Sequence, residues 1–181
     1  MKVSILGAGA FGEALGKILS YNGHETKYYD PIKFPNISLD EAISDPEIII
    51  YAAPSDQHQN ILPQLPKNIH LICASKGFLS LKPFSDFSSF SALGGAAFAD
   101  DIIAQEKSIT LTASSEISEN LFSTEKISVE YTKDTLGIML CGALKNIYAI
   151  GAGLYGESGQ KESAENTDIS KLTFRFRLIL W

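Results

Sequence analysis

Hydrophobic and polar positions along the chain follow two periods, and the switches between them mark out the elements. Residues 2 to 6, KVSIL, form a short strand-like run. From Ala10 to Leu19 the apolar spacing becomes helical and closes at Asn22-Gly23, a pair suited to a helix C-terminus. The pattern then repeats in outline. ETKYYD reads as a second strand, a proline-containing loop follows with a short helix near Leu39 to Ile43, and EIIIYAAP reads as a strand buried on both faces. Beyond Pro54 come a helix near Asp56 to Leu62, IHLICASKG as another buried strand, and SITLTA and KISVEY with helical material before and between them. Such alternation predicts an α/β fold built on a parallel sheet with flanking helices.

From about Lys133 the character changes. DTLGIMLCGALKNIYAIGAGL has no strand alternation and predicts one helix of some five turns. A boundary is therefore expected near residues 131 to 134, with one domain over 1–132 and the first helix of an all-α domain opening 133–181. The tail from about 155 is atypical. YGESGQKESAENTDISK is polar and reads as disordered, whereas LTFRFRLILW is apolar and reads as a strand or loose tail. If extended, Phe174, Phe176, Leu178 and Leu180 share one face, a template for association with another chain.

Composition narrows the function. With 181 residues the chain can hold one sizeable core and the start of a second, and 45% hydrophobic with 20% charged residues is a soluble globular balance. A net charge of −6 without a basic stripe argues against nucleic acid as a partner. Cys73 and Cys141 stand in apolar runs and read as buried thiols rather than a disulfide, which implies a reducing compartment. His24, His58 and His70 lack the spacing of zinc ligands, so no metal site is expected. Glycines and Glu13 interrupt the apolar N-terminus before a signal sequence could form, and cytoplasmic residence is the expectation.

The turn GAGAFG, with Gly7, Gly9 and Gly12, stands directly after the first strand and opens the first helix. That is where a dinucleotide fingerprint needs its glycines: for the tight turn, for approach of the pyrophosphate, and for close helix–strand packing. The helix N-terminus then offers N–H groups to the phosphates. Asp30, eighteen residues after Gly12 at the end of the second strand, is placed to hold the adenosine ribose hydroxyls. Together these features predict a Rossmann-type domain. The plain alternative is a set of flexible turn glycines with Asp30-Pro31 starting an ordinary turn. Asp30 favours NAD by repelling a 2′-phosphate, while Lys33 nearby leaves NADP possible.

Residues 136 to 154 are almost long and apolar enough to cross a membrane, yet Lys145 and Asn146 sit at the middle. A central lysine costs about 2.5–3.5 kcal/mol on insertion, so no span is expected. In a soluble protein a helix apolar all round should be enclosed. Its lysine then either snorkels to the edge of the core or lies desolvated beside a cofactor, where a lowered pKa suits acid–base work.

CGALKNIYAIGAG resembles the signature helix of the NAD(P)-dependent glycerol-3-phosphate dehydrogenases. Three further segments fall in that family's order: ILGAGAFG resembles its phosphate loop, ASKGF its segment with a second active-site lysine, and SALGGAAFADDI its glycine-rich stretch ending in Phe-Ala. The resemblance covers about residues 1 to 155. It implies that Ala10, Phe11, Pro54 and Ala99 contact the cofactor beside Gly7, Gly9, Gly12 and Asp30. It further implies that Lys76 touches cofactor and substrate, that Gly95 contacts substrate, that Lys145 transfers the proton, and that Asn146 follows it into the active site. Where the family commonly reads Gly-Pro-Ser, the chain has Gly95-Ala96-Ala97, without the hydroxyl.

The implied chemistry is hydride transfer between NAD(P)H and dihydroxyacetone phosphate, or the reverse oxidation of sn-glycerol 3-phosphate, by a homodimer. The family's downstream aspartate and Asn-Arg pair, whose arginine grips the substrate phosphate, cannot be placed in the sequence. The chain therefore resembles a truncated member, for which impaired turnover is the expectation. Two other readings stand beside it: a nucleotide-binding remnant or interaction protein using its apolar tail, and a ketopantoate-reductase-like enzyme, whose family shares the loop and a helical lysine.

Overall fold

The computed structural model describes residues 1–78, 80–95, 97, 99–104 and 108–145. Strands β1 (Lys2–Leu6), β2 (Glu25–Tyr29), β3 (Ile48–Tyr51), β4 (His70–Cys73), β5 (Ser89–Gly94), β6 (Ile109–Ala113) and β7 (Ile127–Tyr131) form one sheet in the order β2-β1-β3-β4-β5-β6-β7. Every pairing is parallel except β5 with β6. The predicted α/β sheet is present, with one antiparallel step near its far edge.

Helices α1 (Ala10–Tyr21), α2 (Leu39–Ala42), α3 (His58–Ile61), α4 (Ala99–Ala104) and α5 (Ile117–Phe122) connect the strands, and a sixth helix, α6, runs through residues 135–145. α1 ends where the sequence puts its end. The Asn22 and Gly23 N–H groups return to the Ile18 and Ser20 carbonyls, with Gly23 at φ +78°.

Apolar side chains alternate across the strands with period two, giving a core on each face of the sheet. Val3, Ile5, Ile48, Ile50 and Ile72 point towards α1, α4 and α5. Ile49, Tyr51, Leu71 and Cys73 point the other way, against α2, α3, the aromatic residues Phe78, Phe84 and Phe87, and Ile138 and Met139 of α6. Each central strand is covered on both sides, which is why IIIY reads as a continuous apolar run.

β5 was not legible as a strand, because SFSALG is small, serine-containing and flanked by glycine. Its polar groups are satisfied in place. Ser91 is fully buried and its Oγ pairs with His70 Nε2 at 2.9 Å, while the Ala92 N–H donates to Ser114 Oγ at 2.9 Å. Of the two cysteines, Cys73 is buried, Cys141 is half-buried, and they form no disulfide. Among the described residues no helix is long and apolar enough to cross a membrane, and no group of side chains could hold a metal ion. The remainder of the predicted 136–154 helix, Asn146 and the whole tail lie outside the described residues.

This strand order matters for function. The chain leaves β1 for β2 on one side and returns to β3 on the other. At such a reversal the connections diverge and open a crevice beyond the carboxyl ends of the strands.

Candidate active site

The crevice is a groove of about 780 Å³ lined by the residues that follow β1, β2, β3 and β4. Its floor is the glycine turn. Gly7 sits at φ +107°, and a Cβ there would lie 2.5 Å from the Ala53 nitrogen, so both its conformation and its neighbour require glycine. A Cβ on Gly12 would lie 2.1 Å from the Gly7 carbonyl oxygen. At Gly9 a Cβ would meet nothing within 4 Å. The fold itself does not need glycine at position 9, where the turn borders open space.

Above that turn, the first bond within α1 runs from the Glu13 N–H to the Gly9 carbonyl at 3.0 Å. The N–H groups of Ala10, Phe11 and Gly12 precede it, so they find no carbonyl within the helix. This is the geometry that receives a pyrophosphate.

Two contacts tie the turn to the end of β2: the Gly7 N–H to the Tyr29 carbonyl and the Ala8 N–H to Asp30 Oδ2, both 2.8 Å. Asp30 Oδ1 also accepts the N–H groups of Ile32 at 3.0 Å and Lys33 at 3.1 Å. Desolvation works to raise the Asp30 pKa, but the Lys33, Ala8 and Ile32 N–H groups outweigh it and hold the carboxyl below its ordinary range. Asp30 is therefore a fixed anion at the mouth of the groove.

At the other end, Ser75 Oγ donates to the Ala53 carbonyl at 2.6 Å, and Gly77, at φ +108°, faces Ser55 with room for no Cβ. This turn aims Lys76 across the groove, with its ammonium 4.8 Å from the centroid of the Phe11 ring. Phe11, Ala74, Ser75 and Lys76 also line a smaller adjoining cavity, of about 20 Å³, together with Gly95, Gly142 and Lys145.

Lys145 is 5% exposed and its Nζ donates to the Ala97 carbonyl at 2.9 Å. Burial, followed by the neighbouring Lys76 charge and a hydrogen bond with it, lowers the Lys145 pKa to about 8, with Asp101 pulling the other way. α6 carries this lysine inward because Asp134 caps its start, accepting the Gly137 N–H at 2.8 Å, and Ile138 and Met139 are buried in the core. The lysine does not snorkel outward.

Of the residues singled out by sequence, Gly7, Gly9, Ala10, Phe11, Gly12, Asp30, Pro54 and Lys76 line the groove, and Gly95 and Lys145 line the cavity beside it. Ala99 opens α4 and packs half-buried against the core, lining neither. The sequence reading missed the far wall, made by Gln57, Asn60 and Gln64. Their spacing of three and four along one helical stretch was the available signal.

No family model matches the chain. Individual proteins do. The glycerol-3-phosphate dehydrogenase [NAD(P)+] of Leptospira biflexa is 28% identical over a match covering 85% of this chain and 60% of that protein. The chain is similar to the glycerol-3-phosphate dehydrogenases. The enzyme of the same name from Oceanobacillus iheyensis is 27% identical, over 94% of this chain and 62% of its own length. The chain thus spans about 60% of the length of these curated relatives. Among solved structures, glycerol-3-phosphate dehydrogenase from Coxiella burnetii superposes with a TM-score of 0.69 at 19% identity, covering 84% of this chain and 60% of that one. An imine reductase from Myxococcus stipitatus, solved with NAD+, superposes at 0.68 with 15% identity over 98% of this chain and 70% of its own. The resemblance carried by the glycine turn and GALKN is borne out by the relatives, and the Rossmann-type fold by the structures.

Proposed function

We propose that this chain forms the dinucleotide-binding part of an NAD(P)-dependent dehydrogenase of the glycerol-3-phosphate dehydrogenase kind. Residues 1–132 hold the nucleotide, and the helix that follows supplies an acid–base lysine. The observation that carries this reading is the continuity of the two cavities: Lys76 lines both, with Asp30 at one end and the buried Lys145 at the other.

The residues fit a dinucleotide. The space left open at Gly9 and the first N–H groups of α1, which find no carbonyl within the helix, suit a pyrophosphate, and Asp30 suits a ribose diol. The bound nicotinamide supplies or accepts the hydride. Everything else falls to the chain. The Lys145 ammonium donates its proton to the carbonyl oxygen of dihydroxyacetone phosphate as negative charge develops there, and takes it back from the alcohol in the reverse direction. A pKa of about 8 suits both roles. Lys76 adds a second positive charge beside the developing oxyanion. The Ala97 carbonyl orients the Lys145 Nζ, limiting the directions in which its protons point.

Neither lysine provides a forked grip on a phosphate dianion, which bidentate arginine supplies elsewhere. The described residues line the reacting end and no such arginine is among them. Resemblance also supports a homodimer, which light scattering tests. The deciding experiment for turnover is NADH oxidation with dihydroxyacetone phosphate by wild type and Lys145→Ala. Turnover abolished by the substitution supports the reading, and turnover unaffected by it contradicts the role of Lys145.

A further inference from the structure

At the adenosine end of the groove one carboxylate, Asp30, lines the wall, and an ion pair of Glu13 and Lys33 stands beside it. Asp30 is held in place by three backbone N–H groups. The turn that follows curls back as the Phe34 N–H closes on the Asp30 carbonyl at 2.8 Å, and this carries Lys33 over the first turn of α1. There Lys33 Nζ meets Glu13 Oε1 at 2.7 Å, with both side chains about half exposed. The Glu13 charge also adds to burial in holding the Tyr28 phenol above its ordinary range. Asp30 lines the groove and the Glu13–Lys33 pair stands just outside its lining; the residues beside Asp30 at this end, Pro31, Ile32, Leu39, Asn60, Ile61 and Gln64, are uncharged.

A 2′-phosphate on the adenosine ribose would need a cation here, and Lys33, whose backbone N–H is bonded to Asp30, is the ammonium beside it among the described residues. We propose that Glu13 is a specificity-determining residue: by holding Lys33 in an ion pair it leaves the ribose pocket net negative and sets a preference for NAD over NADP. The inference rests on the nucleotide-binding reading above. Asp30 repels the phosphate directly, whereas Glu13 acts by withholding the counter-charge. Removing the Glu13 charge takes the local sum of Glu13, Asp30 and Lys33 from −1 to zero and frees the ammonium to turn towards the ribose.

The test is the affinity of NADH and of NADPH, by fluorescence titration, for wild type, Glu13→Gln, and Glu13→Gln combined with Lys33→Met. The NADPH-to-NADH affinity ratio should rise about three- to tenfold in Glu13→Gln, as expected for releasing one exposed charge-assisted contact. In the double variant the rise should vanish. An unchanged ratio in Glu13→Gln overturns the inference, and so does an equal rise in the double variant, which would mean net charge alone decides. If folded wild type binds neither nucleotide, the nucleotide-binding reading fails and this inference with it.

Discussion

The Ala8 backbone N–H donates to Asp30 Oδ2 at 2.8 Å, joining the turn after β1 to the end of β2. One carboxylate thus shapes the glycine turn and presents an anion at the mouth of the groove. Asp30→Ala should lose both functions, weakening NADH binding at least tenfold and destabilising the fold by about 1–3 kcal/mol, the range for stranding hydrogen-bonded donors. Asp30→Asn keeps an acceptor and should fall between. Urea unfolding and nucleotide titration of the two variants check this.

The same carboxylate sets an acid limit. Its folded-state pKa lies below its unfolded value, so its stabilisation is present above the ordinary aspartate range and is lost as pH falls through the lower, folded value. Wild type should lose stability relative to Asp30→Ala on acidification below about pH 4, with the difference between them shrinking. A constant difference down to pH 2 would contradict it.

The glycines of the turn should separate by function. Gly12→Ala brings a Cβ against the Gly7 carbonyl and should cost about 1–3 kcal/mol through overpacking. Gly9→Ala faces open space and should leave thermal stability within about 0.5 kcal/mol while cutting NADH affinity at least tenfold. Loss of stability in Gly9→Ala would contradict the open position assigned to it.

Lys145 is predicted to cost stability in exchange for its chemistry. Its folded pKa, about 8, is below its unfolded value of 10.5, so the unfolded chain binds more protons between those limits. The penalty is complete below about pH 8 and disappears as pH rises towards 10.5. Lys145→Met should therefore stabilise the protein by about 1–2 kcal/mol at pH 7, an effect lost at pH 10.5. Carbonyl reduction, which needs the ammonium, should decline above about pH 8. Titration of the Cε signals of isotopically labelled lysine should place Lys145 near 8, with Lys76→Met moving it upward.

The sequence showed the sheet where burial is two-sided: KVSIL, IIIY and HLIC are apolar runs because both faces of each strand meet a core. It hid β5, whose serines Ser89 and Ser91 are met by His70 and whose Ala92 N–H is met by Ser114, both on neighbouring segments. The glycine turn and Asp30 were legible because their spacing is local. Lys76 was legible through resemblance alone, since Ser-Lys-Gly is an ordinary turn until Ala53 and Ser55 are packed against it. The Glu13–Lys33 pair spans twenty residues and depends on how the turn after Asp30 curls back, a tertiary outcome that no periodicity encodes.

The crevice beyond β1, β2 and β3 should hold a nicotinamide dinucleotide. Isothermal titration of the folded chain with NADH tests it most directly. Saturable binding at one site per chain, lost in Gly9→Ala, is the predicted result. A folded wild-type protein with no saturable heat of binding would contradict the account.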